Sequence, residues 1–520
     1  MGCQTSSADP LSPDAGMADP GPGDDPGTDP GTDPGTDPGD DPGTDPGTDP
    51  GDDPGTDPEP ATACASPTGN VLEVGPGQKY PALVDVPWTD LAAGDTVRIH
   101  YRKAPYRAKL LLSARGTKDQ PITLCGVASE GGDMPTITGA NAVTPEGLNF
   151  KDPHLQDLGV IVIYDPNYDA SPANIIIEGL HVTGGSEENT YTGVDGDKRA
   201  YSRGAACIRV QEGDHVTLRG NMITGCGNGI MALSRPENRQ RLTTDLVIQD
   251  NYLQDNGAIG SDRQHSIYVQ TVGVLIEGNY FGPLREGSGG GNIKDRSSGT
   301  VIRYNWIEGG ARLIDLVEAG EFYEWVKDEP SYRKTYVYGN VITARGDIGG
   351  ALLVHYGYDS SPEATRGGTL YFYNNTVAIY SDIGDHAHVR LFDLSTAAET
   401  ADAWNNIVYI GPRTDGAEPS PLTITRYDGT ARLGVNWVSG DFADGEGNVV
   451  GKAKVITGDA PPVVPDTLLP VPQSAAIDAG ETGHPGVPEA YRDTREYVSP
   501  TGSRARAVKG GGPDLGAFER

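Results

Sequence analysis

The chain has 520 residues and a formal net charge of −33 at pH 7, with 72 glycines and 41 prolines. This length suits several small domains or one long solenoid with appendages. The acidic balance excludes nucleic acid as the expected partner, because no basic face is available to neutralise phosphates, and no run is long and apolar enough to predict a transmembrane helix.

The start of the chain, Met-Gly-Cys3-Gln-Thr-Ser, resembles the end of a bacterial lipoprotein signal and predicts lipidation at Cys3. A lipid there would hold the protein at the bacterial cell surface, in the outer membrane, and is the only membrane link that we expect. The same letters fit an N-myristoylation pattern on Gly2 with Ser6. A third alternative is that Cys3 has no role.

Residues 1–62 are dominated by a repeat of Asp-Pro-Gly and Thr-Asp-Pro-Gly, and the first 60 contain 15 aspartates, one glutamate and no lysine or arginine. Proline stiffens such a segment, glycine loosens it and like charges extend it. We therefore predict a disordered acidic stalk over 1–62. Its aspartates could bind calcium, but the segment lacks the glutamate-closed loop of a dedicated site.

Ordered structure is predicted from residue 63. The run Val71-Leu-Glu-Val has the character of a strand, and Tyr80 to Leu91 predicts a short helix or an irregular cover. The open end of a β-solenoid exposes apolar core and unpaired strand edges. We therefore predict an N-terminal cap over 64–93.

From residue 174 to about residue 455 the chain repeats a unit that ends in an asparagine, as in Val216-Thr-Leu-Arg-Gly-Asn221. Apolar residues within the unit alternate with a period of two, which predicts strands, and a repeat of this size predicts a solenoid. An all-β parallel β-helix over 63–455 follows, with buried amides bonded along the stack. The marking residues are Asn221, Asn251, Asn279, Asn305, Asn340, Asn375, Asn406 and Asn436.

Four insertions interrupt the repeat, at 186–204, 234–244, 320–332 and 357–367. Insertions on solenoids tend to gather on one side, so we expect them to build the wall of a cleft.

Beyond residue 456 the chain becomes rich in proline, and we predict a C-terminal cap module over 456–520 that folds back on the last coils.

The cysteines show no metal-ligand spacing. Cys64, Cys125, Cys207 and Cys226 could form two disulfides in an oxidising compartment, with Cys64–Cys125 and Cys207–Cys226 as the pairs that we expect. Buried free thiols are the alternative.

The Gly-Asn units of residues 174–450 resemble the right-handed parallel β-helix repeats of the pectate-lyase-like superfamily. Val74-Gly-Pro-Gly-Gln-Lys-Tyr with Gly94-Asp-Thr-Val is similar to the N-terminal coils of secreted members. The ending, with Ile477-Asp-Ala-Gly and Asp514-Leu-Gly-Ala-Phe-Glu, resembles the module called choice-of-anchor Q. The resemblance implies a right-handed β-helix, while the superfamily includes lyases, hydrolases, epimerases and non-enzymatic surface proteins.

The stretch 265–305 resembles a region of alginate and chondroitin lyases in which a lysine follows a strand and a Ser-rich turn leads to an Arg-x-Asn unit. The chain departs from that pattern in two ways. Counting back from Asn305 puts the family's lysine at Arg296 rather than Lys294. The family's later Arg-His pair is absent, and Arg312 lies in that region.

A uronate lyase needs a base that removes a proton next to a carboxylate, and a cation that neutralises the developing charge. We predict Lys294 as the base, Arg296 and Arg312 as the neutralising cations and His265 as an assisting group. Lys294 and Arg296 share one face of a strand, outward if Ile293 points inward. This local positive cluster is unusual in an acidic chain; the alternative is solvated side chains paired with nearby carboxylates.

Candidate substrate-binding residues are Tyr268, as a stacking platform, and Arg303, Asp315 and His355. A glycoside hydrolase would instead use paired carboxylates, for which Asp315 and Glu318 are the candidates. Calcium is a conceivable cofactor because outward acidic side chains are plentiful, although no loop defines a site.

Three hypotheses follow. The first is an exported, monomeric, polysaccharide-active enzyme that cleaves acidic glycans by β-elimination. The second is a non-catalytic surface lipoprotein that binds glycan or has a structural role. The third is a glycoside hydrolase.

Overall fold

The computed structural model describes residues 64–520 except 168–169, 236–238, 310–311, 346–351, 381–388, 414–415, 417, 441 and 459. All the described residues belong to one compact unit. The predicted stalk over 1–62 and the predicted lipidation site at Cys3 lie outside the described residues.

The chain winds into a right-handed parallel β-helix, as the sequence predicted. The strands of its coils form three long sheets. The first sheet consists of Val71–Val74, Thr96–His100, Ile122–Val127, Ala173–Glu178, Asp214–Arg219, Thr244–Gln249, Val272–Glu277, Ser298–Arg303, Lys334–Tyr338, Gly368–Tyr373, Glu399–Trp404, Thr430–Leu433 and Asn448–Val450.

The second sheet consists of Lys198–Ala200, Thr190–Thr192, Thr136–Val143, His181–Thr183, Met222–Thr224, Tyr252–Gln254, Tyr280–Phe281, Trp306–Glu308, Val341–Arg345, Thr376–Tyr380, Ile407–Ile410, Asn436–Ser439 and Val455–Gly458, with Tyr106–Ala108 paired to Thr136–Val143. The third sheet consists of Leu110–Leu112, Gly159–Ile163, Ala206–Val210, Asn228–Ala232, Ile267–Val269, Ile293–Asp295, Arg312–Leu316, Leu352–Tyr356, Val389–Leu394, Leu422–Arg426 and Ala443–Gly445. A separate antiparallel pair joins Arg495–Tyr497 to Ser503–Ala505.

The helices are short. Two α-helical turns span Pro153–Gln156 and Tyr323–Val326. The 3-10 turns are Leu83–Asp85, Trp88–Asp90, Arg239–Arg241, Gly320–Phe322, Pro330–Arg333, Pro362–Ala364, Lys452–Lys454 and Glu489–Tyr491. Among the described residues, no helix has the length and apolar character needed to cross a membrane.

The core is built by like residues stacking in register from coil to coil. In the first sheet Leu218 pairs with Ile248, Ile248 with Ile276 and Ile276 with Ile302, all fully buried. Such columns arise because a parallel β-helix repeats the same pleat at each coil, so every inward position meets its counterpart about 4.8 Å away. The apolar residues that alternate with a period of two in the sequence therefore form a continuous apolar interior.

The predicted asparagines form one buried ladder from Asn221 to Asn436. Each backbone N–H donates to the side-chain oxygen of the next asparagine, and each side-chain amide donates to that same oxygen, at 2.8–3.1 Å. The second amide hydrogen reaches a backbone carbonyl of the preceding coil, as Asn305 does to Ile276 at 2.9 Å. The ladder satisfies polar groups at a turn that is fully removed from water.

The N-terminal region is joined to the coils by covalent and apolar contacts. A disulfide links Cys64 to Cys125, with a Cα–Cα distance of 5.7 Å. A second disulfide joins Cys207 to Cys226 within the coils, with a Cα–Cα distance of 5.6 Å. Leu83 and Trp88, from the short turns in the predicted cap, are buried in the main core, and the Trp88 indole donates to the Leu83 carbonyl at 2.7 Å.

The C-terminal segment lies along the outer side of the second sheet. Its buried residues Val463, Leu468, Ala476, Tyr497, Leu515, Ala517 and Phe518 cover the outward side chains of Val341, Ala378, Tyr380, Ile407, Tyr409 and Trp437. The outward face of this sheet is apolar. Together with the C-terminal segment that covers it, this face forms a second, smaller core.

We expect Asn305→Ala to lower the free energy of unfolding by about 3 kcal/mol, because it removes a ladder acceptor and leaves the buried Asn279 N–H groups without a partner. Urea and thermal unfolding followed by circular dichroism measure the loss. Asn448→Ala, on an exposed strand position, is the matched control and should change stability by less than about 0.5 kcal/mol. Equal effects of the two variants would contradict a stabilising ladder.

Candidate functional site

A row of polar side chains runs along the outward face of the third sheet. Lys294 pairs in register with Asp315, Asp315 with His355, His355 with Asp393 and Asp393 with Arg426. The adjacent positions on the same strands, such as Ile293 and Phe392, point into the core. We call these five residues the charged row; strand stacking alone puts neighbours about 4.8 Å apart.

Lys294 lies between two carboxylates. Its ammonium is 2.7 Å from an Asp315 oxygen and also forms a short ion pair with Asp359. Burial alone would lower the pKa of Lys294, but the charges of Asp315 and Asp359 raise the pKa above its usual value. The side chain is therefore held protonated. A base must begin without the proton it accepts, so this pairing does not favour the predicted role of Lys294 as the base.

The cluster around Lys294 is electrically balanced. Asp359 also receives Arg296 at 3.2 Å and Arg312 at 3.6 Å, and Arg296 pairs with the buried Glu318 at 3.2 Å. Three cations thus face three carboxylates. The prediction of a net positive cluster is wrong, because the loop after Tyr356 places Asp359 among these cations. The spacing of residues in the sequence does not reveal this contact.

His355 links the charged row to a serine. Its Nδ1 lies 2.7 Å from Asp315 Oδ1, and its Nε2 lies 3.0 Å from the Ser395 hydroxyl. Burial alone would raise the pKa of Asp315, but Lys294 and the His355 hydrogen bond hold it well below its usual range. An ionised Asp315 accepts a hydrogen bond from Nδ1–H, so Nε2 is the nitrogen that is free to accept a proton.

A pocket of about 290 Å³ opens over this part of the row. Arg312 and Arg426 enter it with side chains that are 44% and 32% exposed. Asp393 pairs in register with Arg426 and lies 3.6 Å from its guanidinium. Burial raises the pKa of the Asp393 carboxyl, while His355 and the arginines oppose that shift. One Asp393 oxygen has no hydrogen-bond partner among the described residues. The lining is Arg312, Leu352, His355, Tyr358, Asp359, Asp393, Ser395, Arg426 and Tyr427.

Two predicted site residues are near the pocket but buried behind it. Arg296 is 8% exposed and donates to the Glu318 carbonyl at 3.2 Å as well as to Asp359. Asp315 is 2% exposed, with both oxygens used by Lys294 and His355. Because both side chains are buried and paired, this arrangement does not favour their predicted roles as neutraliser and substrate ligand and instead has them support their neighbours.

His265 and Tyr268 lie one coil before Lys294. Tyr268 precedes Lys294 in register and extends the outward row. His265 is buried, and its Nδ1 accepts the Gly291 N–H at 3.0 Å. Burial, together with the charge of Lys294, lowers the pKa of His265 to about 4. The ring is therefore neutral at pH 7, with its accepting nitrogen already used by the backbone, which does not suit an assisting base.

Arg303 lies away from this site, on the first sheet. It forms an ion pair with Glu277 and donates to the Tyr338 hydroxyl at 2.9 Å. The three sheets face different directions, so a residue nine positions after Lys294 turns to another face of the β-helix. The prediction that Arg303 shares the cationic cluster is wrong for this reason.

The insertions contribute unequally. The 357–367 insertion supplies Tyr358 and Asp359 to the pocket, and Glu318 anchors it by accepting the N–H groups of Asp359 and Ser360 at 2.8 and 3.1 Å. The 320–332 insertion braces it from outside, because Tyr332 donates to the Ala364 carbonyl at 2.7 Å. The described residues of the insertions 186–204 and 234–244 contribute nothing to the lining.

Asp315, His355 and Asp359 place possible metal-ligand atoms within 4.8 Å of one another. The Lys294 ammonium contacts both carboxylates, however, and Arg312 contacts both as well. A calcium ion needs six or more oxygen ligands. These carboxylates already balance fixed cations, so this set does not fit calcium while Lys294 stays in place.

No family model matches the sequence, and no curated protein is similar to it. Among solved structures, pectate lyase Pel9A aligns with 88% of this chain and 100% of its own, at 12% identity and a TM-score of 0.44. The PL6 family alginate lyase AlyGC aligns at 15% identity over 85% of this chain, with a TM-score of 0.42, and the chain spans 60% of that protein. DFA-IIIase from Arthrobacter chlorophenolicus A6 gives 13% identity, 71% and 82% coverage and a TM-score of 0.29.

We expect Lys294→Gln to lower stability by about 3–5 kcal/mol at pH 7, because it removes the nearest cation from the buried Asp315 carboxylate, which keeps only the longer contact to Arg312 at 3.4 Å. In the wild type, the lowered pKa of Asp315 contributes stability that is present at neutral pH and lost on acidification. The deficit of the variant should therefore shrink below about pH 4, the usual value for an aspartate, as the pH falls toward the lowered pKa of Asp315.

Thermal unfolding between about pH 2 and pH 8 measures this dependence. The matched control is Lys327→Gln, which removes an exposed lysine from a pair with Glu324 and should leave stability nearly unchanged. A deficit for Lys294→Gln that stays constant with pH would contradict the electrostatic explanation.

Proposed function

We propose that this protein is a polysaccharide-active enzyme that cleaves acidic glycans by β-elimination in the pocket over the charged row. The observation that carries the proposal is that Arg312, which is exposed, and Arg426, which is half-buried, line the same pocket as His355 and Asp393. Arginine matches a carboxylate in charge and geometry, and the other two side chains can accept and donate protons.

The reaction requires three groups, and the pocket offers each of them. His355 Nε2, with Asp315 holding the opposite nitrogen, would take the proton from the carbon next to the sugar carboxylate. Arg312 and Arg426 would stabilise the charge that develops on that carboxylate. Asp393, whose carboxyl pKa is raised, would give a proton to the departing glycosidic oxygen.

Lys294 has a positioning role in this proposal. It holds Asp315 ionised and Asp359 in place, and so fixes the hydrogen bond that orients His355. Arg296 does the same for the loop that carries Asp359.

Alginate, pectate and a glycosaminoglycan are the substrates to supply, with ultraviolet absorbance of the unsaturated product as the readout. We expect His355→Ala and Arg312→Ala each to lower the rate at least about 100-fold, the effect typical of losing a proton-transfer or charge-stabilising group. Arg492→Ala, which removes an exposed arginine paired with Glu489, should leave the rate unchanged. Full activity in His355→Ala would contradict the assignment.

Glycoside hydrolysis is the second candidate, because the pocket also holds two carboxylates, Asp359 and Asp393. New reducing ends without ultraviolet absorbance would favour it. Binding to these glycans with no turnover over long incubation would instead favour the non-catalytic surface module.

We further propose that the protein is exported and held at the bacterial surface by lipid on Cys3, with residues 1–62 as a spacer and 456–520 as an anchor-type module. The lipoprotein-like start and the two disulfides support export. In the native bacterium, Cys3→Ala should move the protein from the membrane fraction to the soluble fraction. Gly2→Ala is the matched variant; release by that change alone would support N-myristoylation instead.

A further inference from the structure

Three side chains on neighbouring strands of the third sheet form a connected chain of hydrogen bonds. Asp315 accepts from His355 Nδ1 at 2.7 Å, and His355 Nε2 lies 3.0 Å from the Ser395 hydroxyl. A carboxylate, an imidazole and a serine hydroxyl connected in this order are the arrangement that activates serine as a nucleophile. Ser395 immediately follows the strand that carries Asp393, so it is placed by the same stacking that forms the charged row.

The direction of proton flow along this chain is set by its surroundings. Asp315 is contacted by Lys294 at 2.7 Å and is 2% exposed, so its carboxylate is paired and fixed. The Nδ1 nitrogen of His355 must then carry a hydrogen, and Nε2 is left to accept the hydroxyl proton of Ser395.

Ser395 is half-buried and lines the pocket. Gly357, whose φ is +151°, lies so close that an added Cβ would collide with the Ser395 hydroxyl. The residue after it, Tyr358, donates its backbone N–H to Ser395 Oγ at 3.1 Å. The loop therefore leaves room for the hydroxyl and aims one backbone donor at it, while Arg312 and Arg426 supply positive charge in the same pocket.

We propose that Ser395 is the nucleophile of a second activity, the removal of ester-linked acyl groups from the acidic glycan. The substrate class rests on the proposed function, because the arginines of the pocket would bind the sugar carboxylate. An acyl ester is the group that suits a neutral serine nucleophile, since its carbonyl carbon accepts the attack and its sugar hydroxyl is the leaving group.

The steps balance without any co-reactant except water. Ser395 Oγ forms a bond to the acyl carbonyl carbon as its proton passes to His355 Nε2. The bond from that carbon to the sugar oxygen then breaks, and the sugar oxygen takes the proton from His355. Water then attacks the same carbon and gives a proton to His355 Nε2. The bond from that carbon to Ser395 Oγ breaks, Oγ takes the proton back from His355, and the carboxylic acid leaves. The pocket arginines would stabilise the negative charge that develops on the acyl carbonyl oxygen.

The test uses the full chain with O-acetylated pectate and with p-nitrophenyl acetate, and follows acetate and nitrophenol release. A fluorophosphonate probe followed by mass spectrometry locates the reactive serine. We expect the wild type to release acetate and to be labelled at Ser395. Ser395→Ala should lose the label and at least about 100-fold of the deacetylation rate, with an unchanged melting temperature.

Ser361→Ala is the matched control, because that serine lies on the same loop and its hydroxyl bonds to none of the described residues. It should keep both the label and the deacetylation rate. Deacetylation that survives in Ser395→Ala, or a label on another residue, would overturn the inference. Elimination without deacetylation in the wild type would sink this inference alone, and deacetylation without elimination would sink only the proposed function.

Discussion

Register between successive coils is the constraint on which the rest of this structure depends. The buried ladder from Asn221 to Asn436 bonds every coil to the next through both backbone and amide groups. A slip of one residue would bury outward side chains and leave those amides unsatisfied. Because register is fixed, outward residues of different coils become neighbours in a predictable direction, and a functional surface can be built from chain segments far apart in sequence.

The charged row shows how such a surface places charge where water is scarce. Lys294 and Asp315 are nearly inaccessible, and their burial is tolerated because each has its partner within hydrogen-bonding distance. The pairing has a chemical consequence at His355, since the ionised Asp315 determines which ring nitrogen carries hydrogen. Lys294 and Asp315, which the sequence suggests as site residues, thus support the side chains that face the pocket. Both proposed activities depend on the His355 imidazole.

Much of the fold could be predicted from spacing, while the pocket could not. Periodic asparagines and alternating apolar residues are local signals, and a long solenoid satisfies them without knowledge of distant contacts. The charged row lacks such a signal, because Lys294, Asp315, His355, Asp393 and Arg426 precede their next ladder asparagine by 11, 25, 20, 13 and 10 residues. Insertions of unequal length hide the common position, so Asp393, Ser395 and Arg426 were missed and Arg303 was wrongly included.

The sequence by itself determined that this chain forms stacked coils of short parallel strands, because the ladder amides and the period-two pattern act on each coil separately. Only the tertiary structure decided which cations are paired with carboxylates, which arginines line the pocket and which histidine contacts a serine hydroxyl. The physical reason is that those facts depend on the return path of the 357–367 loop, which brings Asp359 to Lys294 and Tyr358 to Ser395. Contacts of that kind arise between coils, and no repeat in the sequence records them.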